Sequence, residues 1–160
     1  MQRGEVSAFR ILVEATAARL VRLSARIMGS VAEAEDVVQD SFVKAYRALR
    51  EGRFDARARV ETWLHRIVVN ASLDARRKRV RSRTDLAEAD AAVDGPAEAT
   101  VALRELAAWL DELPDDQRAA LLLKADGMPS VEIAEVLGCT EGAVEQRLVR
   151  ARAALRKRRS

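Results

Sequence analysis

The chain has 160 residues, 49% hydrophobic and 33% charged, with a formal net charge of +3; that balance excludes a disordered polyampholyte and leaves room for one domain or two small ones. A single cysteine, Cys139, rules out an internal disulfide and a multi-cysteine zinc site, and one histidine, His65, leaves little acid–base chemistry near neutral pH. No stretch approaches the roughly 18 consecutive apolar residues that span a bilayer, and Met1 to Phe9 show no basic-then-apolar export pattern, so a cytoplasmic protein without membrane insertion is expected.

Charge is segregated along the chain. Residues 1–52 carry 8 basic and 7 acidic side chains, residues 53–83 carry 10 and 3, residues 84–116 carry 1 and 10, and residues 117–160 carry 9 and 5. Two basic regions flank one acidic connector, and each block sets which partner its surface can meet. Sustained two-residue alternation is absent, while Ala, Leu, Arg and Glu abound, so the expected fold is all-α.

From Val6 to Met28, Phe9, Leu12 (or Val13), Thr16, Leu20, Leu23 and Ile27 recur at helical spacing as one inward stripe, which Gly29 and Ser30 end. A second helix runs from about Val31 to Arg50, with Val31, Ala34, Val38, Phe42, Ala45 and Leu49 inward and Gly52 as its stop. Asp36, Gln39, Asp40 and Val43 share its opposite face; spacing alone does not separate a binding face from an ordinary solvated one. After a polar loop, Thr62 to about Arg79 forms a third helix through Trp63, Ile67, Asn70 and Leu73. Residues 84–100 are small and acidic with a Gly95-Pro96 break, which predicts a flexible linker between two small helical domains, 1–83 and 101–160.

The second half opens with a helix from Val101 to Leu113, turns at Pro114, and starts another whose first turn holds Asp115 and Asp116, complementing the helix dipole. Gly127-Met128-Pro129 stops it. Ser130 to Leu137 is a short helix with Ser130 as the expected N-cap, and Gly138 makes the turn. Thr140 caps a longer helix that buries Val144, Leu148, Ala151 and Leu155 and points Gly142, Gln146, Val149, Arg150 and Ala153 outward. That is helix-turn-helix spacing, and the acid-free run of Arg147, Arg150, Arg152, Arg156, Lys157, Arg158 and Arg159 suits a phosphate backbone. The alternative is an αα-hairpin with a solvated basic tail. Trp63 and Trp109 sit on apolar faces as core anchors, and Cys139 reads as a small buried filler.

Glu33 to Tyr46 (EAEDVVQDSFVKAY) resembles the core-binding motif of bacterial sigma factors, Thr62 to Asn70 (TWLHRIVVN) resembles the segment that follows it in the extracytoplasmic-function (ECF) group, and Leu113 to Arg159 resembles that group's second domain. The resemblance implies that residues 1–83 correspond to sigma region 2 and residues 101–160 to region 4. By that analogy Asp36, Gln39, Asp40 and Val43 dock on the coiled coil of the largest subunit of core RNA polymerase, whose flap is a second contact. Phe54 to Glu61, with Arg57 and Arg59, would capture a flipped base beside Asn70. Trp63, His65, Arg66, Arg76, Arg77, Lys78, Arg79 and Arg81 would read and track the minus-ten element. Thr140, Gly142, Glu145, Gln146, Arg147, Val149 and Arg150 would meet the minus-thirty-five element. An anti-sigma factor is the further partner implied; no cofactor, metal or catalytic residue is.

The acidic connector would stand in for nucleic acid inside polymerase. Glu145 and Gln146 depart from the family's usual basic residue and serine, and Ala143 from its threonine. A glutamate can accept from a cytosine amino group and a glutamine can pair with adenine, or Glu145 repels phosphate and orients a neighbouring arginine. The rival reading is a free-standing helix-turn-helix regulator that binds duplex DNA without polymerase. It leaves the Asp36 face and the basic third helix without roles. An enzyme is not expected, because neither a phosphate-cradling glycine loop nor a metal-ligand cluster is evident.

Overall fold

The computed structural model describes residues 3–54, 57–85 and 101–159. They form α1 (Arg3–Met28), α2 (Val31–Arg50), α3 (Val60–Asp85), α4 (Val101–Glu112), α5 (Asp115–Ala125), α6 (Ser130–Leu137) and α7 (Glu141–Arg159), with no strand among the described residues. The greater part of the acidic connector, residues 86–100, lies outside them, as do Asp55 and Ala56 of the loop before α3.

Local chemistry sets most of the boundaries. Gly29 leaves α1 at φ 77°, a conformation that costs a side chain-bearing residue more than glycine. Ser30 does more than end α1: in extended conformation it caps α2, its hydroxyl accepting from the Glu33 amide at 3.3 Å. On α2, Ala34, Val38 and Ala45 are buried as expected, but Val31, the first residue of the helix, is half exposed. The third helix starts at Val60, two residues before the expected Thr62, and continues past Arg79 to Asp85.

Two apolar clusters hold the molecule together. Leu20, Val38, Ala45, Leu64 and Val68 join α1, α2 and α3, with Phe9, Leu12, Phe42, Trp63 and Ile67 packed around them. The second joins the halves: Leu23 and Ile27 of α1 and Val69 and Leu73 of α3 lie in one cluster with Leu123, Met128, Ile133, Val144 and Leu148 of the second half. Helix α3 is therefore buried on two sides. Leu64 and Val68 serve the first cluster and Val69 and Leu73 the second, whereas Asn70, in the row of Trp63, Ile67 and Leu73, is exposed. Trp109 is half-buried on α4 and belongs to neither cluster's buried set.

The second half follows its caps. Pro114, not a side-chain acceptor, precedes α5, and Pro129 precedes α6. Ser130 is thus the first residue of α6 rather than its N-cap, because Pro129 has already set the extended entry, and its hydroxyl is used elsewhere. Gly138 closes α6 at φ 66°, and Thr140 caps α7 by accepting from the Ala143 amide at 3.1 Å. No described helix is long and apolar enough to cross a membrane.

Candidate nucleic-acid interface

Three surfaces carry the residues singled out in the sequence. On α2, Asp36, Gln39, Asp40 and Val43 are all exposed along one face, away from the cluster that holds Ala34 and Val38. An apolar valine left 49% exposed one turn beyond Asp40 is a surface that a partner helix can cover.

Around α3 the expected residues divide. Phe54 lies against Trp63, ring centroids 4.9 Å apart at 57°, so the loop before α3 ends in an aromatic pair. Arg57 and Arg66 are exposed and, with Thr62, Trp63, Glu135 and Cys139, line a cleft of about 370 Å³ between α3 and α6. Asn70, Lys78 and Arg81 are exposed as well. His65 is not a surface contact: it is 5% exposed, its Nδ1 lies 2.8 Å from the Glu61 carbonyl, and its Nε2 has no partner among the described residues. Arg76 is likewise buried, because its Nη2 donates to the Asp111 carbonyl at 2.9 Å. Burial lowers the Arg76 pKa, as does the Arg118 charge; Asp111 and Asp115 oppose them. Arg79 is half-buried, paired with Glu33 at 3.2 Å and bonded to the Met28 carbonyl.

The ion pairs across the seam have one polarity. Arg19 meets Asp126 at 2.8 Å, Arg59 meets Glu132 at 3.6 Å, Arg76 meets Asp111 at 3.8 Å, and Arg77 meets Asp115 at 3.1 Å. In these four pairs each arginine comes from the first half and each carboxylate from the second. Arg118 braces the receiving side: only 1% exposed, it donates to Asp115 at 2.7 Å and to the Leu113 carbonyl at 3.2 Å, and the Asp115 bond opposes the lowering of its pKa by burial.

Helix α7 differs. Val144, Leu148 and Ala151 are buried, while Gly142, Glu145, Gln146, Val149 and Arg150 are exposed, with Thr140 beside them. Arg147 turns inward to Asp116 at 3.3 Å and to the Cys139 sulfur at 3.3 Å, so it supports the turn rather than the open face. Ser130 of α6 donates to Glu145 Oε1 at 2.5 Å and accepts from Lys124 of α5 at 3.3 Å. Sequence reasoning missed Lys124, Ser130 and the seam carboxylates; only the three-residue spacing of Asp115 and Arg118 gave a local signal. Among the described residues no group of His, Cys, Asp or Glu side chains could hold a metal ion.

The sigma-70 region 2 family matches residues 12–82, and the sigma-70 region 4 family matches residues 103–155. The chain is 33% identical to the ECF RNA polymerase sigma factor SigW of Bacillus subtilis, over 98% of its own length and 91% of the relative's. Among solved structures it is similar to the sigma factor RpoE in complex with the anti-sigma factor NepR from Bartonella quintana (TM-score 0.73, 26% identity, 94% of this chain and 95% of that one). It is similar also to CnrH in complex with the cytosolic domain of CnrY (TM-score 0.71, 32% identity, 94% and 86%).

Proposed function

The chain belongs to the ECF sigma factors, and from that premise we propose how its surfaces divide the work of an RNA polymerase-binding, promoter-specific initiation factor. The observation that carries this reading is the ordered pair of family matches, region 2 over α1 to α3 and region 4 over α4 to α7, spanned end to end by ECF relatives. A free-standing regulator would account for the second match alone.

The α2 face of Asp36, Gln39, Asp40 and Val43 docks on the coiled coil of the largest polymerase subunit, with Val43 as its apolar contact and the carboxylates on the turns before it. The second half meets the flap. Phe54 and Trp63 supply a stacking surface for an unpaired base, with Arg57 and Arg66 beside Trp63 and the exposed Asn70 two turns further along α3. His65 acts from beneath, tying the first turn of α3 through Glu61. Helix α7 enters the major groove with Gln146, Val149 and Arg150 outward, as a recognition helix does. The connector of residues 84–100, with its acidic balance, occupies a polymerase channel suited to nucleic acid.

At α3 the arrangement has a mechanical consequence. Arg59, Arg76 and Arg77 hold carboxylates of the second half, so promoter phosphates must displace Glu132, Asp111 and Asp115 before these arginines can track DNA. The halves separate along the seam when polymerase and DNA are engaged. Both structural neighbours are sigma factors in complex with anti-sigma factors, which supports an anti-sigma partner for this chain. The protein works at the bacterial nucleoid, in the cytoplasm, and directs the polymerase's catalysis without catalysing a reaction itself.

A gel-shift comparison tests this reading. Promoter duplex should be retained when the chain is mixed with core polymerase and hardly at all by the chain alone. Tight, sequence-specific retention by the isolated chain, unchanged by core enzyme, would favour the free regulator.

A further inference from the structure

A carboxylate on the open face of a recognition helix is an anomaly. It enters a groove walled by phosphates, where its charge is repelled, unless a hydrogen bond from a base offsets that cost. Glu145 is such a residue, exposed on α7 beside Gln146. It does not orient a neighbouring arginine, because Arg147 is engaged with Asp116 and the Cys139 sulfur. Its carboxylate is held by a relay through three helices. Lys124 on α5 can only donate, so the Ser130 hydroxyl accepts at 3.3 Å, and its single proton goes to Glu145 Oε1 at 2.5 Å. Oε1 is thereby engaged, and Oε2 remains as the second acceptor of a carboxylate whose position is fixed in advance. The half-buried Lys124 ammonium supplies positive charge behind the relay.

We propose that Glu145 is a specificity-determining residue that selects cytosine at one position of the upstream promoter element, with Ser130 as its positioning residue. This inference rests on the promoter-reading function proposed above. The chemistry favours cytosine because its N4 amino group donates into the major groove, whereas guanine and thymine present acceptors there that repel a carboxylate. Adenine offers a donor beside an acceptor and satisfies it only in part. Fixing the carboxylate beforehand reduces the ordering cost at the moment of binding, so that more of the hydrogen bond appears as discrimination.

The test is transcription by the reconstituted holoenzyme from a promoter library randomised across the upstream element, with the productive templates sequenced. Wild type should enrich cytosine at one position, on the order of tenfold over guanine or thymine. Glu145→Gln should replace that preference with adenine, because an amide pairs with adenine's N6 and N7; a variant that merely loosened the fold would not exchange one base for another. Ser130→Ala should reduce the cytosine preference several-fold while leaving other positions alone, and Ser130→Thr should restore it. Base preferences identical to wild type in Glu145→Gln, or an equal loss at every position in Ser130→Ala, would overturn the proposal and leave the relay as a tie between helices. Should wild type yield no transcript from any template, the promoter reading itself would fall, and this inference with it.

Discussion

Helices α3 and α7 carry the chain's two arginine-rich faces, yet the fold treats them differently. Part of the α3 face is taken up inside the molecule, with Arg76 buried against Asp111 and Arg77 paired with Asp115, while Arg66, Lys78 and Arg81 stay exposed. On α7, by contrast, Arg150 and Gln146 stand open above a single buried stripe of Val144, Leu148 and Ala151. Similar charge therefore does not mean similar availability. What separates them is the neighbour: α3 is wedged between two apolar clusters, and the carboxylates of α4 and α5 come with the second of these. Under the proposed function, the α7 face is open to DNA as it stands, whereas Arg76 and Arg77 of α3 become available only when the seam opens.

The largest test of that contrast is Leu123→Ala. Leu123 is fully buried in the cluster shared by both halves, so its truncation should cost about 2–5 kcal/mol. Denaturant unfolding should move both halves together. Separate transitions, with α1 to α3 keeping their midpoint, would break the claim that the seam is a core. Arg118→Ala comes next, at about 2 kcal/mol, because Asp115 keeps its pair with Arg77 and, 29% exposed, can partly rehydrate; the same measurement checks it. Gly138→Ala should cost about 1 kcal/mol through its positive φ alone, read as a fall of a few degrees in Tm.

Smallest in stability but sharpest for the comparison is the pair Arg77→Ala and Arg150→Ala. Arg77 is about half exposed and its pair with Asp115 is worth less than about 1 kcal/mol. Measured as holoenzyme binding to promoter DNA against salt, Arg150→Ala should weaken binding and lower the salt slope by about one. Arg77→Ala should weaken it less, because the variant also removes a pair that DNA must break. Equal losses would mean that the seam imposes no cost on α3.

Much of this was legible in the sequence. Helical spacing marked Leu20, Leu23, Ile27, Val144 and Leu148, and the turn at Gly138 with its cap at Thr140 followed from local chemistry. Helix α3 was harder to read because a helix buried on two sides has no single stripe: Val68 and Val69, outside the row of Trp63, Ile67, Asn70 and Leu73, are both buried. His65 and Arg76 were expected on a DNA face from the family resemblance, which does not report burial. Their burial depends on Glu61 one turn earlier and on Asp111 in the other half. The relay from Lys124 to Glu145 spans three helices, and no local spacing encodes it.

The central claim is that this chain gives core RNA polymerase a place to start. Run-off transcription on promoter DNA, with core enzyme and chain each alone and then together, tests it most directly. The expected result is a transcript of defined 5′ end only when both are present. No defined start with both present, on promoter templates where another sigma factor restores initiation to the same core enzyme, would contradict it.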